Sequence, residues 1–159
     1  MIQQREGIFA PYPIQGTVRN EKIQDPSSKL EYELDCVAEL DPAQLPLKDI
    51  PIAKIPYVGI GQASGSAGSA DQGPTAGASL NQESIPKAML VVEVKDQKKK
   101  VDRSQVLHFI QSLEALQRMH SLTQVYAVFY SCSGFCKNAM QELIKHQVFV
   151  VECESCNRN

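Results

Sequence analysis

The sequence predicts an α/β domain built on a mixed sheet. Four segments read as strands, at 30–40, 88–95, 124–131 and 147–152, and two amphipathic helices, at 102–120 and 133–146, fall between the last three strands. That alternation favours a parallel section of sheet with crossover helices. The first two strands are joined by residues 41–87, which show no helical period. They are therefore expected to be antiparallel. The predicted order is β-(long loop)-β-α-β-α-β.

Residues 1–29 show no sustained period. Pro11, Pro13, Gly16 and the DPSS at 25–28 interrupt them, and an irregular N-terminal segment is expected. In LEYELDCVAEL, 30–40, Leu30, Tyr32, Leu34, Cys36, Ala38 and Leu40 alternate with Glu31, Glu33, Asp35, Val37 and Glu39. Period two with one apolar face predicts a half-buried strand. Residues 41–60 carry four prolines and read as loop. Residues 61–84 are rich in Gly, Ser and Ala and read as a flexible insertion, because such residues bury too little surface to offset ordering entropy. AMLVVEVK at 88–95 is a strand. In the helix that follows, Val106, Phe109, Ile110, Leu113 and Leu116 share a face, Asp102 is the expected N-cap, and Gln105 sits where a capping box needs it. QVYAVFYS is a strand. The next helix has Ser133 as expected N-cap, QVFVVE closes the domain at 152, and 153–159 is a polar tail.

Bulk properties narrow the function classes. The chain has 159 residues, net charge -2 and 43% hydrophobic residues. That length supports one core. The charge does not announce a nucleic-acid binder, so such binding must use a local patch, and Lys98, Lys99 and Lys100 form the dense one. No apolar run approaches the roughly 20 residues of a membrane helix. MIQQREGIFAPYPIQG lacks the apolar core of a signal peptide. A cytoplasmic protein without a membrane partner is expected. Five cysteines are an odd number, expected as thiols or metal ligands in a reducing compartment.

Chemistry concentrates in LVVEVKDQKKK, 90–100. Residues i and i+2 of a strand share a face, so Glu93 and Lys95 point the same way inside an apolar strand. Buried charges are paired or bind metal. If the neighbouring strand brings Asp35 alongside, two carboxylates and the Val94 carbonyl would suit a hard cation, Mg²⁺ or Mn²⁺. Such a cation polarises a phosphodiester oxygen and acidifies a bound water, and Lys95 would orient that water or neutralise charge on the phosphate.

LDCVAEL, LVVEVKDQKKK and SQVLHF together resemble the PD-(D/E)xK nuclease superfamily, most closely its Mrr-type restriction endonuclease-like branch. Asp35 matches the first acid, Glu93 and Lys95 the E-x-K, and Gln105 the glutamine of the following helix. Phe109 stands where the family has tyrosine. The block VYAVFYSCSGFCKNAMQELIKHQVFVVE is similar to the closing strand–helix–strand of Mrr-like domains. The resemblance covers about 30–152, less the loop at 42–86. It implies a metal-dependent endonuclease that hydrolyses phosphodiester bonds of DNA, with Asp35, Glu93, Lys95 and Gln105 as catalytic residues and Asp35, Glu93 and Val94 as metal ligands. Two features depart from the family. The family core opens with a helix that 1–29 do not show, so that helix is degenerate, lies outside this chain or comes from another chain. The 41–87 connection is also longer than usual.

Other readings stand beside this one. A catalytically inactive nuclease-fold module that binds DNA or a protein partner would carry the same residues. Glu93 and Lys95 could form a solvated pair of little weight. Glu33 is the register-slip alternative to Asp35. Gln105 could serve only as a cap, and the lysine run could be a solvated turn or a set of phosphate contacts. Cys132, Cys136, Cys153 and Cys156 would reach a structural Zn²⁺ if the last two strands are parallel neighbours. Cys36 reads as core. His108, His120 and His146 show no partner pattern. Substrate form, a homodimer and a larger protein partner stay open.

Overall fold

β-Branched and aromatic residues fill the central segments of the chain, and these become its strands. The computed structural model describes residues 12–56 and 85–153. Its elements are β1 (Ile14–Gln24), β2 (Glu31–Leu40), a one-turn 3₁₀ helix (Pro42–Gln44), β3 (Ala88–Lys95), α1 (Arg103–His120), β4 (Gln124–Ser131), α2 (Lys137–Lys145) and β5 (Phe149–Glu152). They form an α/β fold with a five-stranded mixed sheet in the order β1-β2-β3-β4-β5. The β1–β2 and β2–β3 pairs are antiparallel, and β3–β4 and β4–β5 are parallel. The 61–84 insertion lies outside the described residues.

Both helices cover the same face of the sheet. Val106, Phe109, Leu113 and Leu116 of α1 and Ala139 and Leu143 of α2 pack with Met89, Val91, Ala127 and Phe129. The ring of Phe129 meets Phe109 and Phe135 edge-on, at centroid distances of 5.1 and 5.4 Å. The other face is buried too: Leu90, Val92, Tyr126 and Val128 pack with Ile50, Leu45 and Leu47 of the long connection and with Ile14 and Val18 of β1. Burial on both faces explains the unbroken apolar run of β3, since a strand covered twice has no polar side.

Two expectations are corrected. Residues 14–24, expected as irregular, form an eleven-residue edge strand. Its outward side chains are polar and its ladder is interrupted twice, so it has neither an apolar run nor a steady period of two. Polar contacts hold its end to the C-terminal end of α1: Asp25, just past the strand, pairs with Arg118 at 3.2 Å, and Glu21 hydrogen-bonds to His120 at 2.6 Å. The second correction concerns the start of α2. Cys136, not Ser133, is its N-cap residue, and it makes no side-chain cap bond. The intervening Gly134 has φ +78°, a conformation costly for other residues, and Ser133 donates instead to the Gln97 carbonyl. By contrast α1 begins at Arg103 with Asp102 as N-cap, and Asp102 and Gln105 form the expected capping box.

Candidate functional site

β2 does not keep one face. Tyr32 and Leu34 pack on the helical side, whereas Cys36, Ala38 and Leu40 pack on the opposite side. The cause lies in the pairing with β1. Arg19 faces Val37 and Glu21 faces Leu34, so two steps along β1 match three along β2. One extra residue is therefore accommodated at Asp35–Cys36, which is a β-bulge. The bulge flips the apolar alternation and re-aims Asp35. The single apolar face expected for 30–40 is corrected accordingly; Leu30, expected on it, is 56% exposed.

The β2–β3 ladder ends at Cys36 and Val92, next to this bulge. Beyond it the Asp35 carboxylate replaces a backbone acceptor: Asp35 Oδ2 accepts from the Val94 N–H at 3.0 Å. In an antiparallel ladder the N–H and C=O of one residue project to the same side. The Val94 carbonyl thus lies on the side from which Asp35 approaches.

Glu93 is 7% exposed and is the register neighbour of Phe129 across β4. Burial pushes its carboxyl above the usual glutamate value, and the Asp35 charge raises it further; the hydrogen bond from Lys95 and the Asp35 backbone amide oppose the rise. Lys95 Nζ meets Glu93 Oε1 at 2.5 Å, with the lysine side chain still 32% exposed. The structure thus places both Asp35 and Lys95 next to Glu93. The Asp35 and Glu93 carboxylates repel each other at one end of β3, and the Val94 main-chain carbonyl lies on the same side, oxygen groups of the class that hard divalent cations take.

Gln105 is placed differently. Its amide oxygen accepts from the Asp102 N–H at 3.1 Å and from Gln97, and its amide nitrogen donates to Gln97 Oε1 at 3.1 Å. It is joined to the loop after β3, not to Asp35, Glu93 or Lys95. The same loop carries Lys98, Lys99 and Lys100, all exposed. With Gln97, Asp102 and Gln105 these lysines line an open cleft of about 330 Å³. The loop is fastened from below, because the Val101 N–H donates to the Gly134 carbonyl at 3.0 Å and the Cys136 N–H to the Val101 carbonyl at 2.9 Å. Gln97 was not singled out from the sequence. A lone glutamine among lysines carries no motif, and only its reciprocal bond with Gln105 marks it.

Among the described residues, no group of three or more His, Cys, Asp or Glu side chains is placed to hold a metal. Cys132, Cys136 and Cys153 form no disulfide, and Cys136 is exposed at the start of α2. Cys156, the fourth expected zinc ligand, lies outside the described residues. No helix among the described residues is long and apolar enough to cross a membrane.

No protein-family model matches the chain, and no curated protein matches it. Among solved structures it is similar to the crystal structure of a protein of unknown function, AF1548, at 10% identity and a TM-score of 0.48 over 95% of this chain. The chain spans about half, 54%, of that protein.

Proposed function

We propose that the chain is a restriction endonuclease-like domain that hydrolyses phosphodiester bonds of DNA with Mg²⁺ or Mn²⁺. One observation supports this above the rest. A bulge in β2 sets the Asp35 carboxylate on the Val94 N–H, beside a buried glutamate whose partner is Lys95. Asp35, Glu93 and the Val94 carbonyl would hold the cation. When bound, it supplies charge for a phosphate oxygen and acidity for a water. Lys95 is half-buried and its ammonium reaches the Glu93 carboxylate, so it can hold a nucleophilic water or neutralise charge developing on the phosphate. The lysines at 98–100 follow Lys95 on the loop after β3, where they line an open cleft, and would contact the DNA backbone. Gln105 acts here as a positioning residue: through Gln97 it sets the shape of the lysine loop.

A second reading has its own observation. The Glu93–Lys95 pair neutralises itself without a cation. A module that only binds DNA through 98–100 would keep that pair as structure.

The test is cleavage of supercoiled, linear and single-stranded DNA by the purified chain, with Mg²⁺ or Mn²⁺ against EDTA. We expect metal-dependent cleavage that Lys95→Ala reduces by about 10²-fold or more, the order of losing one transition-state donor. Folded protein that binds DNA in a salt-dependent way and cleaves nothing would overturn the nuclease and establish the binding module.

A further inference from the structure

The parallel end of the sheet carries a second cluster. In the β4–β5 ladder Val128 faces Phe149, Phe129 faces Val150, Tyr130 faces Val151 and Ser131 faces Glu152. The last bond of this ladder runs from the Cys153 N–H to the Ser131 carbonyl at 3.2 Å, so Cys132 and Cys153 follow the final register pair where the two strands end. On the other flank the Cys132 N–H donates to the Lys95 carbonyl at 3.1 Å, which holds Cys132 at strand spacing. Neighbouring strands lie roughly 4.8 Å apart, and disulfides join residues whose Cα atoms are about 4.4–6.8 Å apart.

The side chains of Cys153 and Cys132, together with burial, push the nearby Tyr130 hydroxyl above its usual range. Tyr130 precedes Cys132 by two positions and so leans along the same face of β4. Both cysteines are half-buried, so a small oxidant reaches them, and one side of the pair stays sheltered by the phenol.

We propose that Cys132 and Cys153 form a cross-strand dithiol that a hydroperoxide converts reversibly into a disulfide. One thiol attacks the peroxide oxygen, giving a sulfenic acid and releasing water or an alcohol. The second thiol attacks that sulfur, the S–S bond forms, and the sulfenic oxygen leaves as water. The two sulfurs together give up two electrons to the peroxide. A dithiol reductant reverses the step by exchange. Their place at the strand ends and near the Tyr130 hydroxyl selects this pair over Cys136, which is exposed one residue before α2.

The test uses the full chain, reduced, freed of reductant, treated with hydrogen peroxide and then blocked with a maleimide. Peptides are separated without reduction. A peptide containing Cys132 cross-linked to one containing Cys153 is expected, and dithiothreitol should release it. Cys132 and Cys136 share a tryptic peptide. A Cys136→Ser/Cys156→Ser protein is therefore run beside wild type and should cross-link equally well. Cys132→Ser and Cys153→Ser should each abolish the cross-link while their circular dichroism stays native. Cross-linking that maps to Cys136 or Cys156, or folded protein with both thiols alkylated after peroxide, would overturn the proposal. So would stoichiometric zinc in the purified chain that shields both thiols from the maleimide.

Discussion

The β3–α1–β4–α2–β5 unit and the β1–β2 hairpin share one sheet but are built by different means. The first is regular. Its pairs run in unbroken parallel register from Ala88 with Gln124 to Lys95 with Ser131, and both faces are buried. The hairpin is antiparallel, slips register twice, and meets α1 through polar side-chain contacts as well as through Ile23, Tyr32 and Leu34. Regular packing supplies stability, whereas the irregular hairpin supplies the acid of the candidate site. A bulged strand can turn a carboxylate toward a neighbour's backbone; an ideal one keeps its side chains above and below the sheet.

The largest effect expected from breaking this division lies in the regular unit. Phe129→Ala removes a fully buried ring that meets two others, and should cost about 3–5 kcal/mol in denaturant unfolding. An alanine at half-buried Ile14 in β1 should cost distinctly less. If the two were equal, the hairpin would belong to the same cooperative core. Asp102→Ala removes the cap of α1 and one half of its box, for about 1 kcal/mol. It should also loosen the lysine loop, because Gln105 bonds both to the Asp102 N–H and to Gln97.

Two titrations sharpen the contrast with opposite signs. Burial raises Glu93, so the folded state holds that proton more tightly than the unfolded chain does. This group's contribution is present at acid pH and is lost as pH rises from the ordinary glutamate value through the folded one. Glu93→Gln should flatten that part of the stability–pH curve and leave the protein at least as stable at neutral pH, while ending any metal-dependent cleavage. Asp25, at the β1–β2 turn, is held down at about 2 by the Ser27 backbone N–H, the Ser28 and Ser27 hydroxyls and Arg118. Its contribution is present above the unfolded value of roughly 4 and is lost as pH falls toward about 2. Asp25→Asn should remove the acid-side slope alone.

The same division explains what could be read from sequence. β3, β4 and α1 were legible at their ends as well as their centres, because doubly buried strands and a capped helix write their period and boundary residues plainly. β1 was not. Its Arg19, Asn20 and Glu21 break the apolar pattern, and what makes them a strand is β2 beside them and α1 across them. The candidate site divides likewise. Glu93 and Lys95 follow from the period of one strand. Asp35 was found by its motif position, but its route to β3 depends on a bulge, and LEYELDCVAEL reads as an unbroken alternation. Gln105 was found as a cap, and its amide pair with Gln97 depends on how the loop folds back.

The bulge also makes the position of Asp35 a matter of chain length. Removing Cys36 would leave a β2 that pairs evenly with Arg19–Gln24 of β1 and still alternates, with Leu34 and Val37 on the helical side. The fold would survive such a deletion better than the site, because Asp35 would return to the ordinary pleat and release the Val94 N–H. Single-residue insertions and deletions in β2 are thus a route by which chains of this shape could gain or lose an acid without replacing a single charged side chain.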